Sequence, residues 1–223
     1  MARIAFACLT AITVAAAAPA LAQTAADPAA PVAPAAAPAA AAPAPEAPAA
    51  PAPPPLPTEG VVTQVFKVLD NACLPLIRTP GSDPKSVTKP LGLKDTRDGW
   101  QLKAGGVNKL NVRLPNSANP SSCEIILNYD PGQGPAIISG LAAWGANQPA
   151  PLSQVRAAEN VPSPDPAIVL TNTNWVGWSA STRMGLSFLE QKKTDGTPVA
   201  KNADQAVVQF SFRAITAQDS VAQ

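Results

Sequence analysis

The sequence predicts an α+β fold: an antiparallel β-sheet of about five to seven strands, with two or three helices packed on one face, preceded by a disordered Pro/Ala-rich tail. Three observations carry this. Several short segments alternate apolar and polar residues and are joined by short links. Two other stretches repeat apolar residues at three- and four-residue steps. Residues 28–57 are proline or alanine at 27 of thirty positions, broken only by Val32, Glu46 and Leu56.

Prolines at that density deny a helix its amide donors and push each preceding residue towards extended geometry. Without apolar bulk the tract cannot offset the entropy of ordering, so residues 23–57 read as a spacer rather than a docking ligand. Ahead of it, residues 1–22 have the parts of a secretory signal: Arg3, an apolar run from Ile4 to Ala18, and Ala20-Leu21-Ala22 before Gln23. Cleavage is expected after Ala22, leaving a single α+β domain over residues 58–223 and no integral membrane span in the mature form. The expected location is the periplasm.

Thr58 is the expected N-cap of a first helix whose stripe is Val62, Val65, Phe66, Leu69 and Cys73. Pro75 should end it near Cys73 by pushing Leu74 out of helical geometry. Residues 79–94 read as loop, with a helical turn near 86–89. Asp98-Gly99 marks a turn before strands at 100–103, 109–114 and 123–129. Leu110, Val112 and Leu114 alternate with Asn111 and Arg113. Cys123, Ile125, Leu127 and Tyr129 likewise share a face. Ile137, Leu141 and Trp144 mark a second helix over residues 136–147, entered through Pro135. Residues 148–166 read as proline-punctuated loop. Strands follow at 167–171, 175–181, 184–191 and 206–216, the last with Val208, Phe210 and Phe212 on one face. Aromatic residues are only 4% of the chain, so aliphatic side chains must fill most of the core.

Removing the signal removes Cys8 and leaves Cys73 and Cys123, which in an oxidising compartment are most simply a disulfide. Fifty residues of separation and no Cys-x-x-Cys motif argue against a redox pair. Without Arg3, Asp27, Glu46 and Glu59, residues 60–223 carry fifteen basic and twelve acidic side chains, a net charge of about +3. That is too weak and too scattered to predict nucleic-acid binding. The chain has no histidine, which excludes Ser-His and Cys-His nucleophilic pairs, His-ligated zinc and a His-based pH switch.

Cys73-Leu74-Pro75, Asp98-Gly99-Trp100 and Asn119-Pro120-Ser121-Ser122-Cys123 together resemble segments of small exported proteins of Gram-negative bacteria of unknown function. The resemblance covers roughly residues 61–215. It implies export and a disulfide, and brings no activity with it.

The most unusual window is Asn174-Trp175-Val176-Gly177-Trp178. Tryptophans three apart on a strand point to opposite faces unless a bulge, here at Gly177, brings them together. Trp178, with Trp175, is the candidate stacking platform for a sugar or peptide of the cell wall, and Asn172, Asn174 and Ser179 are the flanking hydrogen-bonding residues. The competing reading makes one tryptophan core and lays the other under a loop. The turn from Tyr129 to Pro135 is glycine-rich but lacks a P-loop's Lys-Ser/Thr, and reads as a strand-to-helix turn. Asp95 and Asp98 read as turn formers rather than a catalytic pair. No catalytic residue, metal-ligand set or cofactor is nominated.

The resulting expectation is an exported, periplasmic, non-enzymatic module that binds a cell-envelope component or an envelope protein. One alternative is a carboxylate-dependent hydrolase acting on cell-wall polymer, which requires two acidic residues converging in a pocket. The other is a membrane-tethered structural spacer, should the signal stay uncleaved.

Overall fold

Two four-stranded meanders share one sheet. The computed structural model describes residues 52–215. In it, β1 (Lys94–Thr96), β2 (Gly99–Gly105), β3 (Asn108–Arg113) and β4 (Ser122–Tyr129) form the first meander. The second comprises β5 (Ser153–Pro162), β6 (Ile168–Trp178), β7 (Thr182–Lys193) and β8 (Asp204–Ala214). All neighbours are antiparallel, in the order β1-β2-β3-β4-β8-β7-β6-β5. The last described strand therefore lies inside the sheet, joining the meanders through β4. Helix α4 (Gly134–Ala146) follows β4 and leads to the far edge strand β5. At 1.5 Å per residue it is about 20 Å long, close to the four strand spacings between β4 and β5.

The expected signal and most of the expected spacer lie outside the described residues. The end of the Pro/Ala tract lies within them and rests on α4. The Pro54 carbonyl accepts from Asn147 Nδ2 at 3.0 Å, and a Cβ added at Gly140 would lie 3.3 Å from Pro57 Cγ.

The first helix does not stop at Cys73. Helix α1 (Val61–Val68), a π-helical turn (Leu69–Cys73) and α2 (Leu74–Arg78) run on without a break, and Leu74 is helical at φ −59°, ψ −49°. In a π turn each amide donates to the carbonyl five residues back. That wider ring gives room where Pro75 lacks an N–H and would crowd the carbonyl four residues before it. The N-cap is Gly60 rather than Thr58; its φ of +83° suits glycine, and Thr63 Oγ1 donates to its carbonyl at 2.8 Å. Helix α3 (Pro84–Thr88) is capped by Asp83, whose carboxylate accepts from Lys85 N–H at 3.0 Å.

Strand alternation places one face of the sheet in a single core with the helices. Register aligns Cys123, Phe210, Leu186 and Trp175 in one row, with Ile125, Val208, Phe188 and Thr173 in the next. Trp144 of α4 meets Phe210 edge-on at 5.7 Å. Cys73 and Cys123 form the disulfide, with Cα atoms 5.6 Å apart, tying the end of the π-helical turn to β4 inside this core. Tethering across fifty residues restricts the unfolded chain by about 4 kcal/mol on the loop-entropy model.

Among the described residues the sheet has eight strands, not five to seven. Residues 148–166 are not all loop, since β5 runs through them, and β1 is a further strand that starts at Lys94, the last residue of the expected loop at 79–94. Both are edge strands, where alternation is weak because solvent reaches them. Strand β5 is also bulged twice and ends on Pro162, which an edge tolerates. The expected strands at 167–171 and 175–181 are one strand, β6. Its polar centre does not break it, because Asn172 and Asn174 face outward while Thr173 is buried. Among the described residues no helix is long and apolar enough to cross a membrane.

Candidate functional site

Among the described residues no helix covers the outward face of the central strands, and its side chains stay at least partly exposed from Ser122 of β4 to Trp178 of β6. The tryptophan pair divides between the two faces. Trp175 is 2% exposed on the core side, and its Nε1 has no hydrogen-bond partner among the described residues. Trp178 is 41% exposed and shares the open face with Asn172, Asn174 and Val176.

Gly177 makes no bulge, so it does not bring the indoles together. The β6–β7 register is unbroken from Ile168↔Lys193 to Trp178↔Arg183. Gly177 instead admits the segment between α4 and β5. A Cβ added there would stand 2.5 Å from the Ala150 carbonyl oxygen and 2.9 Å from that of Pro151. The platform is thus reduced to Trp178, with its cross-strand partner Arg183 stacked over the ring, guanidinium carbon 4.7 Å from the centroid. The hairpin turn beside them is pinned by Ser179 N–H donating to the Thr182 carbonyl at 2.9 Å and Thr182 N–H donating to Ser179 Oγ at 3.1 Å.

Next to this pair the open face sinks into a trough of about 390 Å³ crossing β5, β6, β7 and β8. Its polar lining is Arg156, Asn174, Arg183, Ser187, Gln209 and Ser211, with Gly185 at the floor. The depression follows from residue size. Gly185 contributes no side chain where Ser211 Oγ would lie 2.8 Å from an added Cβ, and its row neighbours are Val176 and Ser211. The β5 bulge beyond Gln154 sets Arg156 opposite Asn174 and leaves Val155 61% exposed at the margin. Among the described residues no aspartate or glutamate lines the trough.

Carboxylates gather elsewhere, around buried Tyr129. Tyr129 OH donates to Glu190 Oε1 at 2.7 Å, and Lys192 Nζ lies 3.4 Å from Glu190 Oε2. Asp204 accepts from Gly132 N–H at 3.0 Å, so the glycine-rich turn before α4 is filled by the protein's own carboxylate. Burial, then the Glu190 bond and the two nearby carboxylates, pushes the Tyr129 hydroxyl far above its ordinary range. These acids bond inward and brace the start of α4. Asp95 pairs with Trp100 in β1, and Asp98 lies in the turn that follows. Among the described residues no group of three or more His, Cys, Asp or Glu side chains is placed to hold a metal.

Concavities elsewhere on the described residues include the following two. One, of about 290 Å³, is walled by Leu76 and by Pro80, Pro84, Pro115 and Pro120. The other, of about 480 Å³, sets Lys85, Lys89 and Lys94 around Trp100.

Arg156 and Arg183 are the functional candidates that sequence reasoning missed. They lie 27 positions apart and meet only through the register of three strands. The available signal was the turn Ser179-Ala180-Ser181, since a hairpin closed there puts Arg183 across from Trp178. No family model, curated protein or solved structure matches this chain.

Proposed function

We propose that the chain is an exported, non-enzymatic binding module of the periplasm that takes a cell-envelope component on its open sheet face. One observation carries the reading: a trough lined by no carboxylate among the described residues, at whose end an exposed indole holds a guanidinium on its ring. A sheet needs only one buried face for stability, so an outward tryptophan beside polar donors is available for a ligand. The buried disulfide supports passage through an oxidising compartment, as do the signal features of residues 1–22. The hydrolase alternative needs carboxylates turned to a cleft, whereas Glu190 and Asp204 are bonded inward.

The test is capture from envelope extract by the full exported chain, with Trp178→Ala as comparison. The wild-type chain is expected to retain an envelope component and the variant to lose it, with circular dichroism unchanged. Equal capture by both would remove the open face as the binding surface.

A further inference from the structure

We infer that the trough binds an acidic polysaccharide, with the carboxylates of hexuronate units held by Arg156 and Arg183. The inference rests on the open-face reading above and adds the class of ligand. Its first ground is charge. Among the described residues two guanidinium groups line the trough and no acidic side chain does. Among the described residues Arg156 has no ion-pair partner, and Arg183 is engaged only with the Trp178 ring. A guanidinium presents a planar fork of donors that matches a carboxylate and is more weakly hydrated than an ammonium. By contrast, Arg113 on the same face is paired with Glu124 at 2.7 Å.

Shape and polarity favour a sugar chain over an acidic peptide. The trough crosses four strands, a span of about 14 Å at ordinary strand spacing, which accommodates more than one sugar ring. An extended peptide would be recognised through backbone pairing at a sheet edge, and this depression lies on the face. Its donors and acceptors are side chains: the Asn174 and Gln209 amides and the Ser187 and Ser211 hydroxyls. Such groups suit ring hydroxyls, while the exposed Trp178 offers an apolar surface for the C–H face of a ring.

The experiment titrates the full chain with an oligogalacturonate, following tryptophan fluorescence and heat. A neutral oligosaccharide of equal length and a poly-glutamate peptide are parallel probes. Arg156→Gln and Arg183→Gln should each weaken oligogalacturonate binding by about tenfold or more, as expected for loss of a charge-assisted hydrogen bond. Lys85→Gln/Lys89→Gln, which removes the same kind of charge away from the trough, should leave it unchanged.

Tighter binding of oligogalacturonate than of either comparison probe, lost with the arginines and with Trp178→Ala, upholds the inference. Equal binding of the neutral sugar overturns the charge requirement. Equal binding of poly-glutamate that is indifferent to Trp178→Ala overturns the saccharide in favour of an acidic peptide. Equal losses in the lysine variant reduce the effect to net charge and overturn the site, as does failure to bind any probe. If the arginine variants still capture an envelope component, the ligand class falls while the open-face function stands.

Discussion

The two faces of this sheet are built from alternate residues of the same strands and obey different rules. On the covered face, Phe210, Val208 and Leu186 are packed by α4 and the disulfide-linked helix, and each is at most 2% exposed. On the open face, Gln209, Ser211 and Ser187 occupy the intervening positions and surround a trough. One residue along a strand thus separates a side chain whose loss opens a cavity from one whose loss changes only what can bind. Parity, rather than proximity in sequence, assigns the task.

The strongest way to break this contrast is Phe210→Ala. Removing a ring that meets Trp144 edge-on should cost about 3–5 kcal/mol in denaturant unfolding. A variant within 1 kcal/mol of wild type would mean that the covered face is not close-packed. Next, replacing Cys73 and Cys123 together by alanine should cost about 2–4 kcal/mol, measured as a lowered denaturant midpoint. An unchanged midpoint would show that the first helix is held to the sheet by packing alone.

A glycine pair sharpens the comparison within the β6–β7 hairpin. Gly177→Ala sets a methyl against a backbone carbonyl at 2.5 Å, where neither partner can turn away, and should cost about 1–3 kcal/mol. Gly185→Ala meets only the Ser211 hydroxyl, which can rotate, and should cost less than about 1 kcal/mol while narrowing the trough. Thermal unfolding of the two variants ranks them; the reverse order would misassign the faces.

The smallest effect concerns Asp70, whose carboxylate accepts from Trp144 Nε1 at 3.0 Å. Burial raises its pKa above 3.8, opposed in part by that hydrogen bond. A raised pKa in the fold means the native state holds its proton more tightly. The associated stability is complete below pH 3.8 and is lost as pH rises through the raised value. Asp70→Asn retains an acceptor without the charge, so it should melt slightly higher than wild type at pH 7 and alike below pH 3.8. The same difference at both pH values would exclude ionisation as the cause.

The covered face was the legible one. Val208-Gln209-Phe210 and Leu110-Asn111-Val112 announce strands because burial on one side imposes a period of two. The stripe from Val62 to Cys73 likewise places the first cysteine where the disulfide needs it. Strand β5 left no such mark, since an edge exposed to solvent has no period to impose. The helix passing through Pro75 depends on a π turn that residue types do not announce. Of the site, Trp178 and its flanking asparagines were readable as an odd local composition. The arginines were not, because their meeting depends on a bulge and on which strands neighbour which.

The placement of β8 between β4 and β7 has a consequence for how the molecule comes into being. While residues 204–214 are still being synthesised, each meander ends in a bare strand edge with its hydrogen-bonding groups unmatched. The N-terminal half can form its own hairpins early, but the two halves have no common sheet until the final described strand arrives as the clasp. Assembly is therefore late and dependent on distant contacts, which favours slow closure. Interrupting translation shortly before that strand leaves two sticky half-sheets in place of a smaller working protein.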